Sequence, residues 1–202
     1  MKIGTIKAKN HLLDDKNEIN KWCKAYIRSY GSSFPMSYEI TNSNHVVITG
    51  KAYVELDNKS TSSIIPVIFD KADDSSFYVR NKWLTNLHGL PEEIGELNLP
   101  LNHMTTLSTV PKIINGKLVL SHSHVNSFEV VPHKVFGDIN VDGLKIEHDL
   151  KGICLIEGVN TINGKQKWVP IINKWCGPGK SMPNHIYEIG AELMEAGFGD
   201  IL

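Results

Sequence analysis

Between residues 84 and 145 the chain writes one hydrophobic pattern three times. LTNLHGLPEEIGELNLPLNH (84–103), MTTLSTVPKIINGKLVLSHSH (104–124) and VNSFEVVPHKVFGDINVDGLK (125–145) align column by column. Leu84, Met104 and Val125 open the units, and Leu87, Leu107 and Phe128 follow three residues later. Leu90, Val110 and Val131 stand just before Pro91, Pro111 and Pro132. Gly95, Gly116 and Gly137 recur every 21 residues, and each leads an apolar-x-apolar triplet: Leu97 and Leu99, Leu118 and Leu120, Ile139 and Val141. Such a triplet is a short strand with one face turned inward. The glycine permits a sharp turn into the strand, and the proline bends the return path. One unit cannot bury its own apolar face. The units must therefore stack, pairing their strands into a parallel sheet. Weaker copies extend the pattern. Phe77-Tyr78-Val79 lies 20 residues before Leu97-Asn98-Leu99, and Val54 and Leu56 with Ile65-Pro66 suit the turn before that. Downstream, Ile146 and Leu150 begin a further unit, with Cys154-Leu155-Ile156 expected as its strand.

The flanks carry a different period. Ile19, Trp22, Cys23, Tyr26, Ile27 and Tyr30 fall on one helical stripe, which predicts a helix over Asp15–Tyr30. Asp14 or Asp15 can cap its start and Gly31 can end it. His45–Thr49 and Lys51–Leu56 read as two short strands, or one bent strand, around Gly50; Asn58–Ser63 reads as loop. At the other end Trp168–Trp175 has helical spacing. A second helix starts at Pro183 or Asn184, places Ile186, Ile189, Leu193 and Met194 on one stripe, and ends at Gly197. A solenoid exposes core at both ends, and these helices are the expected covers. The expectation is one α+β domain over 1–202: an N-terminal helix and strand cap (1–75), a solenoid of about four to five rungs with a parallel sheet (76–160), and a C-terminal helical cap (161–202).

The repeat L-x-x-L-x-x-[LV]-P-x-x-[IV]-x-G-x-L-x-L resembles a leucine-rich repeat of short period. More narrowly it resembles the irregular leucine-rich-repeat-like proteins of large tailed bacteriophages. The nearest stretch is LTNLHGLPEEIGEL (84–97), and IYEIGAELMEAGF (186–198) resembles their closing helix. The resemblance covers most of the chain in layout and 77–150 closely. It implies a phage-encoded binding module and names no partner. The repeat asparagine is kept only as Asn102, while Lys82, Ser123 and Leu144 hold the same column, so irregular turns are expected.

Composition narrows the function classes. The 202 residues are 41 % hydrophobic and 21 % charged, with a formal net charge of −1. There is no bulk attraction to nucleic acid or anionic membranes, and no acidic excess for mimicking DNA. Three cysteines are too few for a disulfide framework and fit a reducing cytosol. MKIGTIKAKNHLLDD lacks the apolar run of a signal peptide, and no stretch approaches the roughly 18 apolar residues of a membrane span. The expected location is the cytoplasm, that of the host if the chain is phage-encoded.

Three constellations invite chemistry. KWCGPGKS (174–181) overlays two partial motifs. Disulfide exchange needs a resolving thiol where Gly179 stands, and a phosphate loop needs glycine where Lys174 stands. The stretch is therefore expected to be a helix end and a turn. The word INKWC occurs at 19–23 and again at 172–176, which places Trp22 and Trp175 on buried stripes and makes Cys176 a poor nucleophile. His103 and His124 share a column on adjacent rungs, His122 is near, and His148 follows. Zinc wants three or four ligands, so His103, His122 and His124 are weak metal candidates and read first as turn histidines. No serine sits in a nucleophile elbow. No catalytic residue, metal or cofactor is expected.

What remains is the sheet face. The residues between inward apolar positions should point outward on the concave side: Tyr78 and Arg80, then Glu96 and Asn98, then Lys117 and Val119, then Asp138, Asn140 and Asp142. Mixed charge with an aromatic and an aliphatic suits a protein partner better than phosphates or a membrane. The reading is a non-enzymatic protein-binding module acting on a host or phage protein, as an antagonist of a host defence or toxin system. The alternative is an enzyme or nucleic-acid-acting factor using the His103/His122/His124 cluster or the Cys176 loop. A third is a structural part of the virion.

Overall fold

The computed structural model describes residues 12–29, 36–56, 62–80, 83–146 and 150–198. Helix α1 (Lys16–Tyr26) starts at Asp15, whose side chain accepts from the Glu18 N–H, and buries Ile19, Trp22 and Cys23. It stops four residues before the predicted Tyr30. Ile27 instead begins strand β1 (Ile27–Ser29), antiparallel to a later strand. Ile27 is buried in either form, so the sheet's backbone pairing decides the outcome. Tyr30, Gly31 and most of the predicted 58–63 loop fall outside the described residues. Strand β2 (Met36–Ile40) pairs antiparallel with β3 (Val46–Gly50), and Gly50 leads into β4 (Ala52–Leu56), the two-strand reading of the sequence.

From β4 onward the chain is a parallel β-solenoid of about five turns. The turns are marked by β5 (Phe69–Val79), β6 (Glu93–Asn98), β7 (Ile113–Ile114), β8 (Leu118–Val119), β9 (Lys134–Val135), β10 (Asp138–Asn140), the short helix α2 (Lys151–Cys154) and β11 (Thr161–Asn163). One register line runs through the long ladder: Val54, Phe77, Leu97, Leu118, Ile139, Ile162. Every one of these side chains is buried. Backbone bonds continue past the strand ends, as where Leu99 N–H reaches the Val119 carbonyl at 2.7 Å and Leu120 N–H the Asn140 carbonyl at 2.8 Å.

A second ladder was not expected. Ile94, Ile114 and Val135 pair as β6, β7 and β9, with an isolated bridge from Lys134 to Glu157. The segment after each proline, read as a bent return path, is thus itself strand: the start of β6 after Pro91, and the two-residue β7 and β9 after Pro111 and Pro132. Its Ile or Val fills the core from a second wall.

The glycines sit where turns touch. A Cβ on Gly137 would lie 2.6 Å from the Gly116 carbonyl oxygen, and one on Gly116 would lie 2.9 Å from that of Gly95. Close approach of stacked backbones, rather than a sharp turn, excludes a side chain there. The left-handed positions come later, at Leu101 (φ 57°), His122 (φ 55°) and Gly143 (φ 76°), one per turn. The next residue shows the irregularity expected of an incomplete asparagine column. Asn102 is fully buried, donating to the Leu99 carbonyl at 2.6 Å and accepting from the Met104 N–H at 3.0 Å. In the same column the Ser123 hydroxyl is buried without a partner and Leu144 is simply core.

The expected strand Cys154-Leu155-Ile156 is corrected. Lys151–Cys154 forms α2, burying Gly152, Ile153 and Cys154, and the ladder strand is β11. The step from Ile139 to Ile162 is 23 residues against 21 for each of the two steps before it, and one helical turn takes up the extra chain. Beyond β11 come α3 (Val169–Asn173), a 3-10 turn (Met182–His185) and α4 (Ile186–Glu195). In α4 Ile189 and Leu193 are buried while Met194 is exposed, and Gly197 (φ 85°) follows the helix. Asn173 docks α3 on the ladder: Ile162 N–H donates to its Oδ1 and its Nδ2 donates to the Ile162 carbonyl, both at 2.6 Å.

Candidate functional site

Alternation places the outward residues of the long ladder. Because Val54, Phe77, Leu97, Leu118 and Ile139 point inward, their neighbours must point out. Glu55, Tyr78, Asn98, Val119, Asn140 and Asn163 therefore form one outward column, with turns stacked at about 4.8 Å. A second column, two residues earlier, carries Tyr53, Ser76 and Glu96, and Asp138 with Thr161. Lys117 stands between Glu96 and Asp138, its carbonyl bound by Leu97 N–H at 2.9 Å. Charge thus alternates in sign along three turns.

Seven of the nine predicted face residues share these two columns. Arg80 and Asp142 lie just past the ends of β5 and β10, where Arg80 N–H bonds the Leu56 carbonyl at 2.8 Å and Asp142 N–H bonds Asn140 Oδ1 at 2.9 Å. Tyr78, Asn98, Val119 and Asn140 are half-buried by their column neighbours, and Arg80 and Lys117 are exposed. The Tyr53 and Tyr78 rings stack with centroids 5.8 Å apart. Asn98 Oδ1, near the middle of the face, is buried and has no hydrogen-bond partner. Sequence reasoning missed Tyr53, Glu55 and Asn163. Glu55 was recoverable from the Val54-x-Leu56 copy, and Asn163 was hidden by the lengthened last turn.

The histidines separate. His103 and His124 stack at 4.6 Å, with Trp83 edge-on to His103 at 6.1 Å, all exposed. His122 turns away to lie over Gly143, where an added Cβ would stand 2.3 Å from its Nδ1. His148 is outside the described residues. Among the described residues no three His, Cys, Asp or Glu side chains gather as metal ligands.

The 174–181 stretch is a chain turn, with Gly177 (φ 108°) and Gly179 (φ 77°) both left-handed. The Cys176 thiol is buried against the Ile172 carbonyl and Met182 Sδ, and burial pushes its pKa up to about 11, with Lys180 opposing. Trp22 is buried as expected. Trp175 is only half-buried, its ring against His185 at 4.6 Å, because α3 ends at Asn173 and carries Trp175 off the buried stripe.

Fold and face together define a short parallel β-solenoid with an ordered, mixed outward sheet. No protein-family model matches the chain, and no curated protein or solved structure matches it. No helix among the described residues is long and apolar enough to cross a membrane.

Proposed function

We propose that the chain is a non-enzymatic protein-binding module, and that its partner docks on the outward columns of β4, β5, β6, β8, β10 and β11. The observation that carries this is the face itself: Tyr78, Asn98, Val119 and Asn140 held in one register line, with Glu96, Lys117 and Asp138 beside them. A rigid ladder fixes those side chains before contact, which lowers the ordering cost of association. The stacked Tyr53–Tyr78 pair offers an aromatic anchor. Alternating charge gives register rather than bulk attraction. The buried, hard-to-ionise Cys176 thiol weighs against chemistry at the 174–181 turn. In this reading α1, α3 and α4 cap a leucine-rich-repeat-like solenoid. The resemblance to bacteriophage proteins makes it an accessory factor acting in the host cytoplasm on a host or phage protein, as an antagonist of a defence or toxin system.

The test is affinity capture with mass spectrometry from phage-infected cells, comparing the wild type with a Tyr78→Ala/Asn140→Arg double variant. A saturable partner held by the wild type and lost by the folded variant is expected. A partner held equally by both would remove the face from the mechanism.

A further inference from the structure

At the far end of the solenoid a cleft of about 530 Å³ opens between the last turn and the end of α4. Three of its lining residues are Lys145, Lys165 and Lys167, and none is acidic. All three lysines are exposed, and none makes an ion pair among the described residues. Elsewhere Lys112, Lys134 and Lys174 meet Glu92, Glu157 and Glu192. In a chain of net charge −1, three lysines lining one concavity without an acidic lining residue favour an anion there.

The walls are tied together. Trp168 Nε1 donates to the Ile146 carbonyl at 2.9 Å, and Gln166 Nε2 donates to the carbonyls of Val141 and Leu144 at 2.7 and 2.9 Å. Those bonds link the Lys165–Lys167 wall to the Lys145 wall, so the cleft is preformed. Apolar surface comes from the half-buried Phe198, while Leu144 and Ile146 are buried beneath the cleft. A preformed cavity of several hundred Å³ with apolar lining and a few polar groups is the usual form of a small-ligand site. Lysine serves as a point-charge phosphate binder.

We propose that this cleft binds a small organic phosphate: a phosphate monoester whose dianion meets Lys145, Lys165 and Lys167 and whose apolar or planar body lies against Phe198. None of its lining residues stands in the two outward columns of the protein-docking face.

Isothermal titration calorimetry on the full chain at low ionic strength tests it, with adenosine 5′-monophosphate as probe. We expect saturable one-to-one binding with a Kd below about 1 mM. Adenosine, lacking the charge, and inorganic phosphate, lacking the body, should each bind at least about tenfold more weakly. A Lys145→Gln/Lys165→Gln/Lys167→Gln variant should lose at least about tenfold in affinity, while Lys112→Gln, outside the cleft lining, should not. No saturable heat, or binding unchanged by the triple substitution, overturns the site. Adenosine binding as tightly as the nucleotide overturns the role of the lysines. Inorganic phosphate binding as tightly overturns the role of Phe198.

Discussion

A single methyl group at Gly137 has nowhere to go. Its Cβ would meet backbone atoms of Gly116 at 2.6 and 2.7 Å, and backbone cannot rotate aside. Gly137→Ala should therefore destabilise by more than about 2 kcal/mol in urea denaturation. Gly179, with a left-handed φ but nothing within 4 Å of an added Cβ, gives the contrast: Gly179→Ala should cost only about 1 kcal/mol of backbone strain. The three buried thiols define another residue-scale test. Burial raises Cys23 and Cys154 to about 12 and Cys176 to about 11, from an ordinary 9.0. The folded state holds these protons more tightly than the unfolded state. The resulting stability is complete below about pH 9 and is lost as pH climbs toward 11 and 12. Thiolate ultraviolet absorbance should stay absent from the native protein at pH 9.5 and emerge on unfolding; thiolate absorbance from native protein at that pH would contradict the burial.

At the scale of elements, the repeat explains what was legible. Gly95, Gly116 and Gly137 with their following apolar triplets fix the long ladder, and its register line runs through the aligned columns. Leu118 lies between Leu97 and Ile139 on that line, so Leu118→Ala opens a cavity felt by both neighbouring turns. It should lower the unfolding free energy by roughly 2–5 kcal/mol, measurable by chemical denaturation. The misses also have physical causes. Two-residue strands such as β7 and β9 carry no alternation to read, and only the stacking of turns reveals them. Ile27 fits a helical stripe and a strand equally well, and pairing with Val54 in β4 settles it. The extra residues before β11 broke the period, which hid α2 and Asn163 together. Of the candidate site, the central columns were readable from alternation alone. The parting of His122 from His103 and His124 depended on a left-handed turn that the sequence does not announce.

At the scale of the molecule, the ladder raises a question of length. A parallel stack of strands is indifferent to how many members it has, and each outer strand offers its N–H and C=O groups to another. At β11 the Asn173 amide takes both the N–H and the carbonyl of Ile162, standing in for the peptide group of one more strand. It acts as a terminator. Without it, the end of one molecule becomes a template for the next, and in-register stacking is the geometry from which cross-β filaments grow. Asn173→Ala should thus do more than loosen α3. Light scattering should rise with concentration and thioflavin fluorescence should appear, with the wild type silent at the same concentration. Should the variant stay as disperse as the wild type, the amide is only a docking contact. If the filaments form, one side chain sets the difference between a protein of fixed size and a polymer without one.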